Sequence, residues 1–134
     1  MGPNALFPEG KRELFERLGY SPAVRAGDFL FVAGQVGVAD GAVVEDPESQ
    51  FRLAFEKVVA LLEVAGMGTQ DIVDVKTFHV DMEKHLDAFN KVKNEFFPRP
   101  PFPCFTGLIE VNRLGMKGLL LEVAATAYKK SSTE

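Results

Sequence analysis

Residues 46–66, DPESQFRLAFEKVVALLEVAG, decide the fold. Asp46 is of a type that caps free backbone amides at a helix start, and Pro47 suits the first helical position, where its missing N–H costs nothing. Phe51, Ala54, Phe55, Val58, Leu62 and Ala65 recur at three- and four-residue steps, which draws one apolar stripe down an amphipathic helix. Gly66 terminates it, because glycine takes the left-handed conformation a helix end often needs. A helix with one apolar stripe must bury it against another layer, and the flanking segments supply a sheet.

Before the helix, Tyr20–Arg25 and Phe29–Val36 read as strands around Ala26-Gly27-Asp28, a hairpin turn. Phe29-Leu30-Phe31-Val32 is continuously apolar, which predicts a strand buried on both faces. Asp40-Gly41 marks another tight turn. After the helix, Ile72–Val80 is rich in β-branched residues and reads as a strand. A second helix is expected from about Lys84 to Phe97, with Leu86, Phe89, Val92, Lys93 and Phe96 near one side and Pro98 as its stop. Pro98-Arg99-Pro100-Pro101-Phe102-Pro103 must be extended or turning. Phe105–Val111 and Leu119–Tyr128 read as the last strands. The order is ββαβαββ, an α+β fold with two helices on one face of a mixed sheet. The other face has no third long helix to cover it. Leu119-Leu120-Leu121 and the Phe29 run would leave it apolar, so self-association is expected.

The 134 residues suit one domain, with residues 1–128 as the folded unit and the polar stretch 129–134 as a disordered tail. A formal net charge of −4 disfavours nucleic acid and anionic membranes as partners. Cys104 is the sole cysteine, so no intrachain disulfide forms and a reducing, cytoplasmic location fits. Met1–Leu6 lack a signal-peptide pattern, and no apolar run reaches membrane-spanning length. His79 on a strand and His85 near a helix start are too separated from each other and from Cys104 for zinc-site spacing.

Several short stretches together resemble the RidA (YjgF) family. They are Phe31-Val32-Ala33-Gly34-Gln35-Val36, Leu61–Gly66 followed by Asp71–Val75, Asp81-Met82, Phe89-Asn90, Asn94–Phe97, Pro101-Phe102-Pro103, Glu110-Val111 and Leu121-Glu122-Val123. Phe7–Lys11, Tyr20-Ser21, Arg25–Asp28 and Val92–Glu95 are similar to the YjgH branch of that family. The resemblance spans roughly residues 18–128. It implies a chorismate-mutase-like α+β fold and a homotrimer whose sheets face a central barrel, with a small-molecule cleft between each pair of subunits. Typical members hydrolyse reactive enamines and imines such as 2-aminoacrylate to ketoacids and ammonia, without metal or cofactor.

The same resemblance assigns candidate roles. Typical members grip the substrate carboxylate with an arginine two residues after the last proline of the Pro-Phe-Pro loop, a task suited to a guanidinium fork. Here that position is Phe105, which offers neither charge nor donor. A carboxylate buried against it would go uncompensated at a cost of roughly several kcal/mol. Glu122 matches the carboxylate that positions water, and its apolar strand could raise its pKa. It could equally point outward or be satisfied by backbone amides. Tyr20, Gly34 and Asn90 match cleft positions, against the plainer readings of an edge aromatic, a bulge glycine and a solvated amide. Ala33 stands where many relatives carry serine. Phe105 could line an apolar pocket or fill core, and Thr106 could offer a hydroxyl or cap a strand. Cys104 is near the proposed cleft, where a small buried hydrophobe is favoured over a reactive thiolate. Arg99, Arg113 and Arg25 are placed in loops and read as solvated, with Arg99 the first to test as a substitute cation.

Three functions follow from these residues. The first is hydrolysis of an imine or enamine other than a 2-imino acid, with Glu122 catalytic. The second is binding of a small apolar or aromatic metabolite without turnover. The third is the endoribonuclease or translation-inhibitor role ascribed to some relatives, which the acidic balance and the lack of a basic-aromatic stripe disfavour.

Overall fold

A computed structural model of the chain describes residues 2–131. In chain order it forms β1 (Asn4–Leu6), α1 (Arg12–Leu18), β2 (Ala23–Ala26), β3 (Phe29–Val36), β4 (Val38–Ala39), β5 (Ala42–Val43), α2 (Pro47–Val64), a 3-10 turn (Thr69–Asp71), β6 (Ile72–His79), α3 (Met82–Phe96), β7 (Cys104–Glu110) and β8 (Leu121–Tyr128). The main sheet runs β1-β2-β3-β8-β6-β7, and β4 pairs with β5 in a separate hairpin. All neighbours in the main sheet are antiparallel except β6 and β7, which α3 joins as a crossover. The result is a mixed sheet with helices, as the sequence predicts. β1 and α1 are additions to the predicted ββαβαββ order, and α1 buries no residue, so it leaves no apolar stripe to read.

The predicted punctuation holds. The Asp46 carboxylate accepts from the Ser49 amide at 3.0 Å, Pro47 opens α2, and Gly66 follows the helix at φ 73°. Gly27 turns the β2–β3 hairpin and Gly41 the β4–β5 hairpin, both at positive φ. α3 begins at Met82, two residues before the expected start. Asp81 precedes it at φ 53° without a side-chain cap bond, so no capping pattern marks the spot.

The core lies between one sheet face and α2 with α3. Phe51, Ala54, Phe55, Val58, Leu61 and Leu62 of α2 and Phe89 and Val92 of α3 meet Leu30, Val32, Val75, Leu121 and Val123 from the strands. The expectation that Phe29–Val32 is buried on both faces is overturned within one chain. Leu30 and Val32 are buried, whereas Phe29 is 43% and Phe31 50% exposed. Two helices cover only one side, and strand residues alternate between sides. Tyr128 packs edge-on to Phe29 at 5.0 Å and shares the open face.

Part of the stretch expected as a tail makes hydrogen bonds to the fold. The Lys129 amide donates to the Asp28 carbonyl at 2.9 Å, Lys129 Nζ to the Gly66 carbonyl at 2.8 Å, and the Ser131 amide to the Asp28 carboxylate at 2.9 Å. Chain order alone cannot show that the last strand ends beside the first hairpin. Residues 132–134 lie outside the described residues.

His79 is buried on the helix side, with Nε2 2.8 Å from Thr77 Oγ1 and its ring edge-on to Phe89 at 4.7 Å. Burial holds its pKa below the ordinary 6.5. The unfolded chain therefore takes up this proton first as pH falls, and stability drops from about pH 6.5 downward, with a slope limited to about 1.4 kcal/mol per pH unit for one proton. Urea unfolding between pH 7 and 5 is expected to show this loss, and His79→Gln to flatten it. An unchanged slope in the variant would assign the effect to other groups.

Candidate functional site

β8 runs between β3 and β6, which places Glu122 in the middle of the sheet, opposite Val36 on one side and Phe78 on the other. It lies on the open face. The pairing of β3 with β8 slips between Val32 and Gln35, leaving an extra residue on β3 at Ala33-Gly34. Gln35 Nε2 donates to the Ala33 carbonyl at 3.0 Å across this bulge. The Glu122 carboxylate lies directly over Gly34, where a Cβ would fall 2.5 Å from Glu122 Cδ. A side chain at this position would require the Glu122 carboxylate to move. Among the described residues Glu122 makes no hydrogen bond or ion pair. None of its oxygens is sealed from solvent without a partner. Burial raises its pKa above the usual carboxylate value. An unpaired, water-accessible carboxylate with elevated basicity can exchange a proton with water or with a ligand on the open face.

Cys104 and Thr106 gather around a residue that sequence reading passed over. Asp74 on β6 accepts from the Cys104 thiol at 3.4 Å, from the Thr106 amide at 3.0 Å and from Thr106 Oγ1 at 2.9 Å. The hydrogen bond and charge of Asp74, with desolvation, raise the Cys104 pKa, so this thiol stays protonated. Cys104 is exposed in this chain, which corrects the buried-hydrophobe reading and leaves the rejection of a reactive thiolate standing. The Asp74 cluster faces Thr126, four residues along β8 from Glu122 and so about 13 Å away at strand spacing.

Phe105 points the other way. It pairs with Val75, which is buried beneath the helices, and its ring meets Phe97 edge-on at 6.3 Å. One chain therefore does not bring Phe105 and Glu122 into one pocket. Asn90 is exposed on α3, on the helix side of the sheet. Tyr20 is 52% exposed and packs edge-on to Phe15 at 5.4 Å. It leads into β2 beside the bulge, since the Ala33 amide donates to the Pro22 carbonyl. Glu122 and Gly34 are thus adjacent, Cys104 and Thr106 form a second group, and Phe105 and Asn90 lie on the opposite side.

No arginine stands at Glu122. Arg25 is in β2 and not in a loop, and it binds the carbonyls of Gly27, Ala65 and Lys129, which corrects the reading of a solvated side chain. Arg113 donates to the Leu114 carbonyl, and Arg99 lines a cavity of about 310 Å³ beside the Pro-rich loop. The cation near Phe105 is Lys93, with Nζ 5.8 Å from the ring centroid. Its position on the mostly apolar side of α3 was the only signal in the sequence. Among the described residues no group of three or more His, Cys, Asp or Glu is arranged to hold a metal ion, and no helix is long and apolar enough to cross a membrane.

A family model described as Endoribonuclease L-PSP matches residues 11–129. The chain belongs to this family, the RidA/YjgF family. Among RidA/YjgF relatives, the RutC family protein YjgH of Escherichia coli is 45% identical over 105 residues, which cover 78% of this chain and 80% of that one. The solved structure of YjgH matches with a TM-score of 0.88 at 39% identity, over 98% of this chain and 100% of the other. Rv2704 of Mycobacterium tuberculosis, described as a member of the YjgF/YER057c/UK114 family, matches with a TM-score of 0.80 at 26% identity, over 96% and 100%. TdcF of Escherichia coli, whose name assigns it provisionally as a reactive intermediate deaminase, is 29% identical over 116 residues, 84% of this chain and 88% of that one. The likeness to YjgH agrees with the branch that the N-terminal motifs resemble.

Proposed function

We propose that residues 1–128 act as one RidA-like domain, that the chain assembles in the cytosol as a homotrimer, and that a cleft between subunits hydrolyses an imine or enamine other than a 2-imino acid. The observation that carries this reading is the unpaired Glu122 carboxylate, raised in pKa and laid over Gly34 on an uncovered sheet face. In the reaction the imine nitrogen is protonated from solvent, and Glu122 takes a proton from water as the water oxygen adds to the C=N carbon, giving a carbinolamine. Glu122 returns that proton to nitrogen and then takes the hydroxyl proton as C=O forms and the C–N bond breaks, so imine plus water gives a carbonyl compound plus ammonia. Every atom is supplied by substrate and water, and no cofactor is required.

The exposed Phe29, Phe31 and Tyr128 support self-association, since apolar surface of this kind is normally covered. Cys104, Thr106 and Asn90 do not meet Glu122 within one chain, so a pocket shared by them and Tyr20 requires a second copy. The substrate class rests on Phe105, which has no donor for a carboxylate and is turned toward Phe97.

The test compares two substrate sets, with carbonyl product and ammonia as readouts. One is made of neutral imines released from primary amines by an amine oxidase, and the other of freshly generated 2-aminoacrylate. The neutral set is expected to have a kcat/KM about tenfold or more above the acid, because the unpaired carboxylate is penalised in binding. Turnover of 2-aminoacrylate equal to or above that of the neutral set would sink the assignment. Sedimentation should give a mass about three times the 14.7 kDa chain. Glu122 has no second titrating group beside it, which favours binding without turnover as the second reading. Ligand retention that survives Glu122→Gln, with no product from either set, would establish it. The endoribonuclease reading requires salt-sensitive RNA cleavage that a cleft substitution abolishes.

A further inference from the structure

The loop that joins β7 to β8 borders a cavity of about 280 Å³, whose lining includes Val80, Arg113, Leu114, Met116, Lys117 and Leu119. Its walls are mostly apolar, and its two charges, Arg113 and Lys117, are both positive. No carboxylate lines it, although the chain has 19 acidic residues against 15 basic ones. The acids beside these residues in the chain, Asp81 and Glu110, line a separate hollow with Glu83. Neither Arg113 nor Lys117 forms an ion pair among the described residues. Arg113 Nε donates to the Leu114 carbonyl at 3.2 Å, which fixes the root of the guanidinium and leaves both Nη groups without an acceptor. The loop is held at both ends. The Val111 amide donates to the His79 carbonyl at 2.8 Å and the Val80 amide to the Leu120 carbonyl at 3.0 Å. The Gln50 side chain holds the Gly118 carbonyl and the Leu120 amide. A loop tied in this way loses little further freedom when a ligand binds.

We infer that this cavity binds a small phosphate monoester, its phosphate held by Arg113 and Lys117 and its apolar group by Leu114, Met116 and Leu119. Two unpaired cations favour a ligand with two negative charges, and a phosphate monoester carries about −1.5 to −2 at pH 7. The free Nη groups of Arg113 offer N–H donors in one plane, which match two oxygens of one phosphate, while Lys117 adds a point charge. The apolar group follows from the rest of the lining, where Met116 is flexible and polarisable enough to close over a ring. The size follows from the volume, which is near the low end of small-ligand pockets at roughly 300–1,000 Å³ and suits a single ring. Glu122 lies on the open sheet face and does not line this cavity. The site is therefore separate from the proposed reaction and does not rest on it.

The probes are phenyl phosphate, benzoate and inorganic phosphate, titrated into the full chain and followed through backbone amide resonances. Phenyl phosphate is expected to shift Arg113, Leu114, Met116 and Lys117 saturably. It should bind roughly threefold to tenfold tighter than benzoate, which carries one charge on the same ring, and tighter than inorganic phosphate, which has no apolar group. Lys117→Met, at an exposed loop position, should remove the preference over benzoate. Arg113→Lys keeps the charge but loses the planar donors, and should weaken phenyl phosphate by roughly threefold or more. Met116→Ser should weaken phenyl phosphate while leaving inorganic phosphate within about twofold. Glu122→Gln should change none of these, which separates this site from the cleft. The inference is overturned if no saturable shift occurs, if inorganic phosphate binds as tightly as phenyl phosphate, if Lys117→Met retains the preference over benzoate, or if the shifts centre on Gly34 and Glu122.

Discussion

Glu122→Gln is expected to lower kcat for imine hydrolysis by about two to four orders of magnitude, the usual contribution of a positioned general base. The same variant should unfold no more easily than the parent at neutral pH. Glu122 is half-buried, has no partner among the described residues, and has its pKa raised by desolvation. A carboxyl whose pKa is higher folded than unfolded binds its proton more tightly in the native state. Its contribution to stability is present below the unfolded value and is lost as pH rises through the folded one. At pH 7 the ionised group is a burden on the fold, and a neutral amide of the same shape removes it. Activity and stability should therefore move in different directions, as is common where a site keeps an uncompensated charge. Steady-state kinetics and thermal unfolding of parent and variant measure both. A Gln variant with full kcat would remove Glu122 from the chemistry, whereas one that unfolds would mean its role is structural.

The largest stability effect is expected from a residue with no part in the site. Gln50 is fully buried near the start of α2. Its Nε2 donates to the Val44 carbonyl at 2.9 Å and the Gly118 carbonyl at 3.1 Å, and its Oε1 accepts from the Leu120 amide at 2.7 Å. One amide thus joins the helix to the loop before it and to the loop that delivers β8. Gly37 packs against the same residue, and a Cβ there would meet the Gln50 Cγ at 2.5 Å. Gln50→Leu keeps the volume but strands three buried backbone groups. At about 1–3 kcal/mol each, the loss should be at least about 3 kcal/mol. For a chain of this size that corresponds to a fall of roughly 10 °C in Tm. Denaturant and thermal unfolding report it directly, and a loss below about 1 kcal/mol would show that the loops rearrange to satisfy themselves.

How much of this was legible in the chain depends on the range of the interaction. The stripe of α2, its Asp46 cap and Gly66 stop, and the Gly27 and Gly41 turns are set by contacts a few residues apart, and each appears where it was expected. The family was legible for a related reason, since its motifs are short runs that keep their order. Gln50 was not legible, because a glutamine inside a helix looks the same in sequence whether it faces water or three backbone groups. Asp74 was hidden likewise. Its three donors come from β7, which lies beside β6 in the sheet but some 30 residues later in the chain.

The amino-acid sequence by itself determined the helix and strand segments, a phenylalanine at position 105, and a carboxylate in an apolar strand. The tertiary structure alone decided that Glu122 lies against Gly34 while Phe105 turns to the helix side. Strand side chains alternate, so the face a residue takes depends on register, and register depends on which distant strand pairs and where it slips. The bulge at Ala33-Gly34 and the parallel β6–β7 pairing make those choices through backbone hydrogen bonds between segments far apart in the chain.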